Sequence, residues 1–182
     1  DGVPAPVPLR TEHLLGVVVN RPSVGLTDDF LRAVLVCTPN TDSREADAMR
    51  KLTFGMNVSV DGYIAAPGDD LGWSVPSDEL FQWWSDRVGA TGLALYGRKL
   101  WETMSSHWPT ADQQPGATPA EIEFARRWRE MPKVVFSSTI STVDWNTRLV
   151  TGDAVAEITR LKAEDGGPMD IVGATLAAAA MR

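Results

Sequence analysis

The chain of 182 residues has a single cysteine, Cys37, and two histidines. One cysteine excludes a disulfide within the chain and any cysteine-built zinc cluster. That fits a reducing, cytoplasmic setting. His107, beside Trp108 and Pro109, has no His, Cys or carboxylate set at ligand spacing, and His13 lies in a proline-broken leader. No metal site is expected. No apolar run reaches the roughly 20 residues of a membrane span. The opening Asp1-Gly2-Val3-Pro4 carries neither the basic nor the apolar region of a signal peptide, and an initiator Met is missing. A processed chain or a fragment is the expectation. A basic surplus is absent too. The net charge is −7 and the isoelectric point is near 4.8, which argues against nucleic-acid or anionic-membrane partners. Neither GxGxxG nor a Walker pattern occurs, so the ordinary Rossmann and P-loop readings fail.

What is present suits one globular domain with an appendage, since 43% of the residues are hydrophobic. Residues 1–48 form a leader broken by Pro4, Pro6, Pro8, Pro22 and Pro39. Within it Leu14 to Val19 reads as a strand, and Asp28 to Val36 is open between a short amphipathic helix and a strand. Pro39 to Ala48 reads as a linker. The main domain is expected over 49–182.

The main domain alternates strands and helices. Strands are expected at Lys51–Val60, Thr91–Tyr96, Lys133–Ser137, Leu149–Val150 and Met169–Val172. Helices are expected from Ser77 to about Val88, Leu100–Ser106, Ala120–Glu130, from Asp153 to about Ala163, and Thr175–Arg182. Such alternation argues for an α/β fold with a largely parallel sheet. Ligands then sit at the carboxyl ends of the strands.

Three strand ends carry turns of small or hydroxyl residues: Gly97-Arg98-Lys99, Ser137-Ser138-Thr139 and Gly173-Ala174-Thr175. The first is the best formed. An apolar strand stops at a glycine, two cations follow, and a helix begins. Free backbone N–H groups, a positive helix end and fixed charge together suit a phosphate. Side by side, the three edges suit an extended phosphate-bearing ligand. A plainer reading makes Arg98 and Lys99 solvated charges and the serines mere strand ends.

Four stretches in order resemble the dihydrofolate reductase fold: Ser59-Val60-Asp61-Gly62-Tyr63-Ile64-Ala65, Gly97-Arg98-Lys99-Leu100-Trp101-Glu102, Val135-Phe136-Ser137-Ser138-Thr139 and Asp170-Ile171-Val172-Gly173-Ala174-Thr175-Leu176. They are most similar to the branch holding the reductase domain of the bifunctional riboflavin-biosynthesis protein. The resemblance implies a central mixed, mostly parallel sheet flanked by helices, and NADPH as cofactor. It implies that Gly97, Arg98 and Lys99 hold the cofactor phosphates. Ser137, Ser138 and Thr139 would flank the adenosine and its 2′-phosphate. Gly173, Ala174 and Thr175 would approach the pyrophosphate, and Ile64 and Ala65 would lie against the nicotinamide.

Trp73-Ser74-Val75-Pro76-Ser77-Asp78 is similar to the stretch of true dihydrofolate reductases that carries the pterin-binding acid. The resemblance gives Asp78 the catalytic place. The same residue also fits a helix-dipole role. Two departures stand out. Val172 fills the first of two places where the family shows adjacent glycines, and a side chain there would crowd the pyrophosphate. Leu100 stands where many relatives have Thr.

Relatives also carry further closing strands after the last helix. Residues 2–10 and 17–19 are similar to those strands, which leaves a permuted arrangement and a C-terminally incomplete one both open. An unpaired sheet edge would favour a homodimer with strand exchange. The expected function is NADPH-dependent hydride transfer to a C=N or C=O of a small pteridine- or pyrimidine-type heterocycle. The alternative is a non-catalytic nucleotide-binding or assembly protein on the same fold.

Overall fold

The computed structural model describes residues 14–20, 32–37, 49–59, 61–68, 70–74 and 76–181. Two strands lie in the leader, β1 (Leu14–Asn20) and β2 (Arg32–Cys37). The second settles the open reading of that stretch as a strand, and the linker at 39–48 lies outside the described residues. The main domain runs β3 (Leu52–Val58), α1 (Asp78–Ala90), β4 (Leu93–Gly97), α2 (Arg98–His107), α3 (Pro119–Glu130), β5 (Lys133–Phe136), β6 (Thr147–Val150), α4 (Ala154–Lys162), β7 (Met169–Val172) and α5 (Ala174–Ala180).

One seven-stranded sheet has the order β1-β2-β3-β7-β4-β5-β6. The five strands of the main domain pair in parallel, as the alternation predicts. β2 pairs antiparallel with β3, and β1 with β2, so the leader strands extend the sheet of their own chain beside β3.

Strand period decides the core. Leu93 and Leu95 point to one face with Val134 and Ile171, against Ile158, Leu161 and Leu176. Ala94 and Tyr96 point to the other with Val135, against Phe124 and Trp128 of α3. Both faces are covered, so β4 is buried along its length, as parallel strands under helices are. The helices start where their chemistry dictates. Ser77 Oγ accepts from Leu80 N and Asp153 Oδ1 from Val155 N and Ala156 N. Thr118 and Glu121 form a reciprocal capping box.

Lys133 is a buried cation at the start of β5. Its Nζ donates to Trp128 O at 2.6 Å and Met131 O at 2.7 Å, and it lies 4.3 Å from the centre of the Trp128 ring. It thus closes the carboxyl end of α3, where a cation is favoured. Burial pulls its pKa down to about 8.

Candidate functional site

Because β7, β4 and β5 are parallel neighbours, their carboxyl ends share one edge of the sheet. That edge aligns the three turns singled out in the sequence: Gly173 after β7, Gly97 at the end of β4, and Ser137 after β5. Gly97 is the N-cap of α2, with no side-chain cap and no acid in the first turn. The helix end is therefore electropositive. Arg98 Nη1 lies 2.8 Å from Glu102 Oε2, one turn along α2, and Lys99 is exposed beside it.

Gly173 starts α5 with φ +120°, a conformation that side chains rarely adopt. A Cβ built on it would lie 3.9 Å from the Gly97 nitrogen. The two glycine turns thus meet in a cradle that a side chain would begin to fill. Ala174 opens α5, and Thr175 is exposed on it. Val172 precedes this turn. Its side chain packs into the face covered by α1 and α3, since the residue before the turn still follows strand alternation.

At the third turn, Ser137 Oγ accepts from Thr139 N at 3.1 Å and Ile140 N at 3.3 Å. The hydroxyl shapes its own turn, and Ser138 and Thr139 are left exposed. Asp61 also serves a turn: Ser59 Oγ donates to its Oδ1 at 2.6 Å.

Behind the edge lies a cavity of about 290 Å³ between β3, β7 and β4 and the helices α1 and α2. Its walls are mainly apolar, with Met56, Phe81, Trp84, Met104 and Trp108 prominent. Leu100, Val172 and Ile64 border it, and the first two flank the glycine turns in sequence. Ala65 sits in the same loop as Ile64 but does not border the cavity.

Polar groups collect at one side of the cavity. Trp84 Nε1 donates to Asn57 Oδ1 at 3.0 Å. Arg87 Nη2 donates to Asp170 Oδ1 at 2.7 Å, and Thr91 Oγ1 donates to Asp170 Oδ2 at 2.7 Å. Burial raises the pKa of Asp170, against the pull of Arg87 and Thr91. Burial likewise pushes up the Tyr96 phenol, whose oxygen accepts from Trp128 Nε1 at 3.1 Å.

Asp78 stands elsewhere. It is the first residue of α1, exposed, and not on the cavity wall. The carboxylate on that wall is Asp170, which falls in a strand and in the last family-like stretch but has no role assigned from the sequence. Its signal was present: a lone acid in Met169-Asp170-Ile171-Val172, a strand buried on both faces, needs a partner. His107 is exposed, and among the described residues no group of histidines, cysteines and carboxylates is arranged to hold a metal. No helix among them is long and apolar enough to cross a membrane.

A family model described as the RibD C-terminal domain matches residues 50–177. The chain belongs to that family. Membership agrees with the five-stranded parallel sheet and implies a reductase-type fold, and the family is generally associated with NADPH. No curated protein matches the chain. The matched residues include every turn at the carboxyl edge and the whole cavity wall. They exclude β1 and β2.

Proposed function

We propose that this RibD C-terminal domain is an NADPH-dependent reductase acting on a C=N or C=O of a small heterocycle. One observation carries the reading: the apolar cavity is walled in part by Leu100 and Val172, which stand close in sequence to the two facing glycines, Gly97 and Gly173. Residues Gly97 and Gly173 let a pyrophosphate approach the backbone, as no side chain stands between them. Arg98 and Lys99 sit where phosphate charge would be neutralised, and Ser138 and Thr139 remain exposed for the adenosine end. NADPH, when bound, supplies the hydride.

The chain's own work is positioning and exclusion of water. The walls from Phe81, Trp84 and Trp108 hold a flat substrate and keep solvent from the reacting carbon. In this reading the carboxylate beside the substrate is Asp170, fixed by Arg87 and Thr91. Asp78 keeps a role only in orienting a substrate that projects from the cavity. Asp78→Asn tests it, since unchanged turnover of every accepted substrate removes that role.

Titration of tryptophan fluorescence with NADPH and NADH tests the reading as a whole. Saturable binding with preference for NADPH is expected. Arg98→Ala should weaken NADPH by about tenfold, or roughly 1.4 kcal/mol. Absence of binding at millimolar NADPH ends the proposal.

A further inference from the structure

Arg98 opens α2 beside Gly97, yet its guanidinium is already engaged. Its Nη1 donates to Glu102 Oε2 at 2.8 Å. Residues four apart lie one above the other on a helix, so the bond draws the guanidinium toward the second turn of α2.

The placement of charge sets α2 apart. Helices α1, α3 and α4 carry acids in their first turns, where the helix dipole favours them. Helix α2 carries none there and opens on Arg98 and Lys99, the sign that the dipole disfavours. Glu102 is the sole acid of α2, and it stands at the spacing that reaches Arg98. The pair is weak, because the Arg98 and Glu102 side chains are 40% and 42% exposed. A phosphate at the helix start would accept from backbone N–H groups as well as from Arg98, an advantage over Glu102.

We propose that Glu102 competes with ligand phosphate for Arg98. Binding exchanges the Arg98–Glu102 bond for an Arg98–phosphate bond, and the carboxylate turns to solvent. Glu102 thereby tempers how tightly this turn grips a phosphorylated ligand. The inference rests on the reductase reading, which gives Arg98 to the cofactor phosphates, and adds the residue that opposes it.

The test is calorimetric titration of the full chain with NADPH and, separately, with adenosine 2′,5′-bisphosphate. Four forms are compared: the unchanged chain, Glu102→Gln, Arg98→Ala and the double variant. Glu102→Gln keeps the size of the side chain and removes its charge. It should tighten both ligands by about threefold. In the Arg98→Ala background the same change should gain less than about 1.5-fold, because Glu102 then has no guanidinium to withhold. Circular dichroism checks that each variant folds. Unchanged or weaker binding by Glu102→Gln overturns the proposal. So does an equal gain in both backgrounds, which would mark plain repulsion between carboxylate and phosphate. The two readings fail separately. Bisphosphate binding that follows this pattern without any NADPH binding removes the reductase reading alone. NADPH binding that is indifferent to Glu102→Gln removes this inference alone, and failure of both ligands to bind removes both.

Discussion

Gly173 faces Gly97 across the carboxyl edge, and a Cβ on Gly173 would stand 3.9 Å from the Gly97 nitrogen. The two residues differ in what they tolerate. Gly173 has φ +120°, whereas Gly97 has φ −75° and a Cβ there would meet only Leu176 Cβ at 3.9 Å. Gly173→Ala should cost about 1–3 kcal/mol of stability through backbone strain. Gly97→Ala should cost about 0.5 kcal/mol or less. Urea denaturation compares the two, and equal losses would show that the turn relaxes.

Removing one partner of the Arg87–Asp170 pair leaves the other stranded beneath α1. Asp170→Ala should destabilise by about 3 kcal/mol. The double change Arg87→Met with Asp170→Leu should recover most of that loss, because no charge is then left buried. A double-mutant cycle by denaturant unfolding measures the coupling. Independent, additive losses would mean that the pair contributes little.

Lys133 makes stability depend on pH on the alkaline side. Its folded pKa of about 8 lies below the ordinary lysine value of 10.5. Between these values the unfolded chain binds more protons than the native one, so stability from this residue rises as pH increases through the window. The neutral amine can still donate to Trp128 O and Met131 O. Lys133→Met should flatten that rise and cost about 2 kcal/mol for the carbonyls left unpaired. Guanidinium titrations from pH 7.5 to about 10.5 would reveal it.

The acid side is governed by arginine-clasped glutamates. Arg160 and Arg148 hold Glu157 at a pKa of about 2, and Arg126 and Arg127 hold Glu123 at about 2, against the ordinary glutamate value of 4.5. Their contribution is full above the unfolded pKa and is lost as pH falls from 4.5 toward 2. The glutamates are half-buried, but Arg126, Arg148 and Arg160 reach solvent, so added salt should shrink the effect. The midpoint of urea unfolding should fall across that window in low salt, and less so in Glu157→Gln.

Much of the edge was legible in the sequence. Ser77 and Asp153 signalled their helix starts, and Gly97-Arg98-Lys99 announced a strand passing into an uncapped helix. These depend on neighbours in sequence. What escaped depends on neighbours in space. Asp170 lies opposite Thr53 and Ala94 only because β7 enters between β3 and β4, and no local pattern fixes that order. Lys133 reads in the sequence only as the start of a strand, yet the end of α3 folds over it. Strand alternation sends the Val172 side chain into the cavity, a placement that the turn sequence alone does not show.

The place of β7 also bears on how the molecule assembles. It follows every other strand in sequence and lies at the middle of the sheet, so β3 and β4 share no direct pairing and depend on it to be joined. The contact between Thr53 and Asp170 spans most of the main domain. Non-local closure of this kind is slow, on the order of milliseconds to seconds. Residues 169–172 therefore join the two halves of the sheet, and a change that weakens β7 is expected to open both flanks to misassembly.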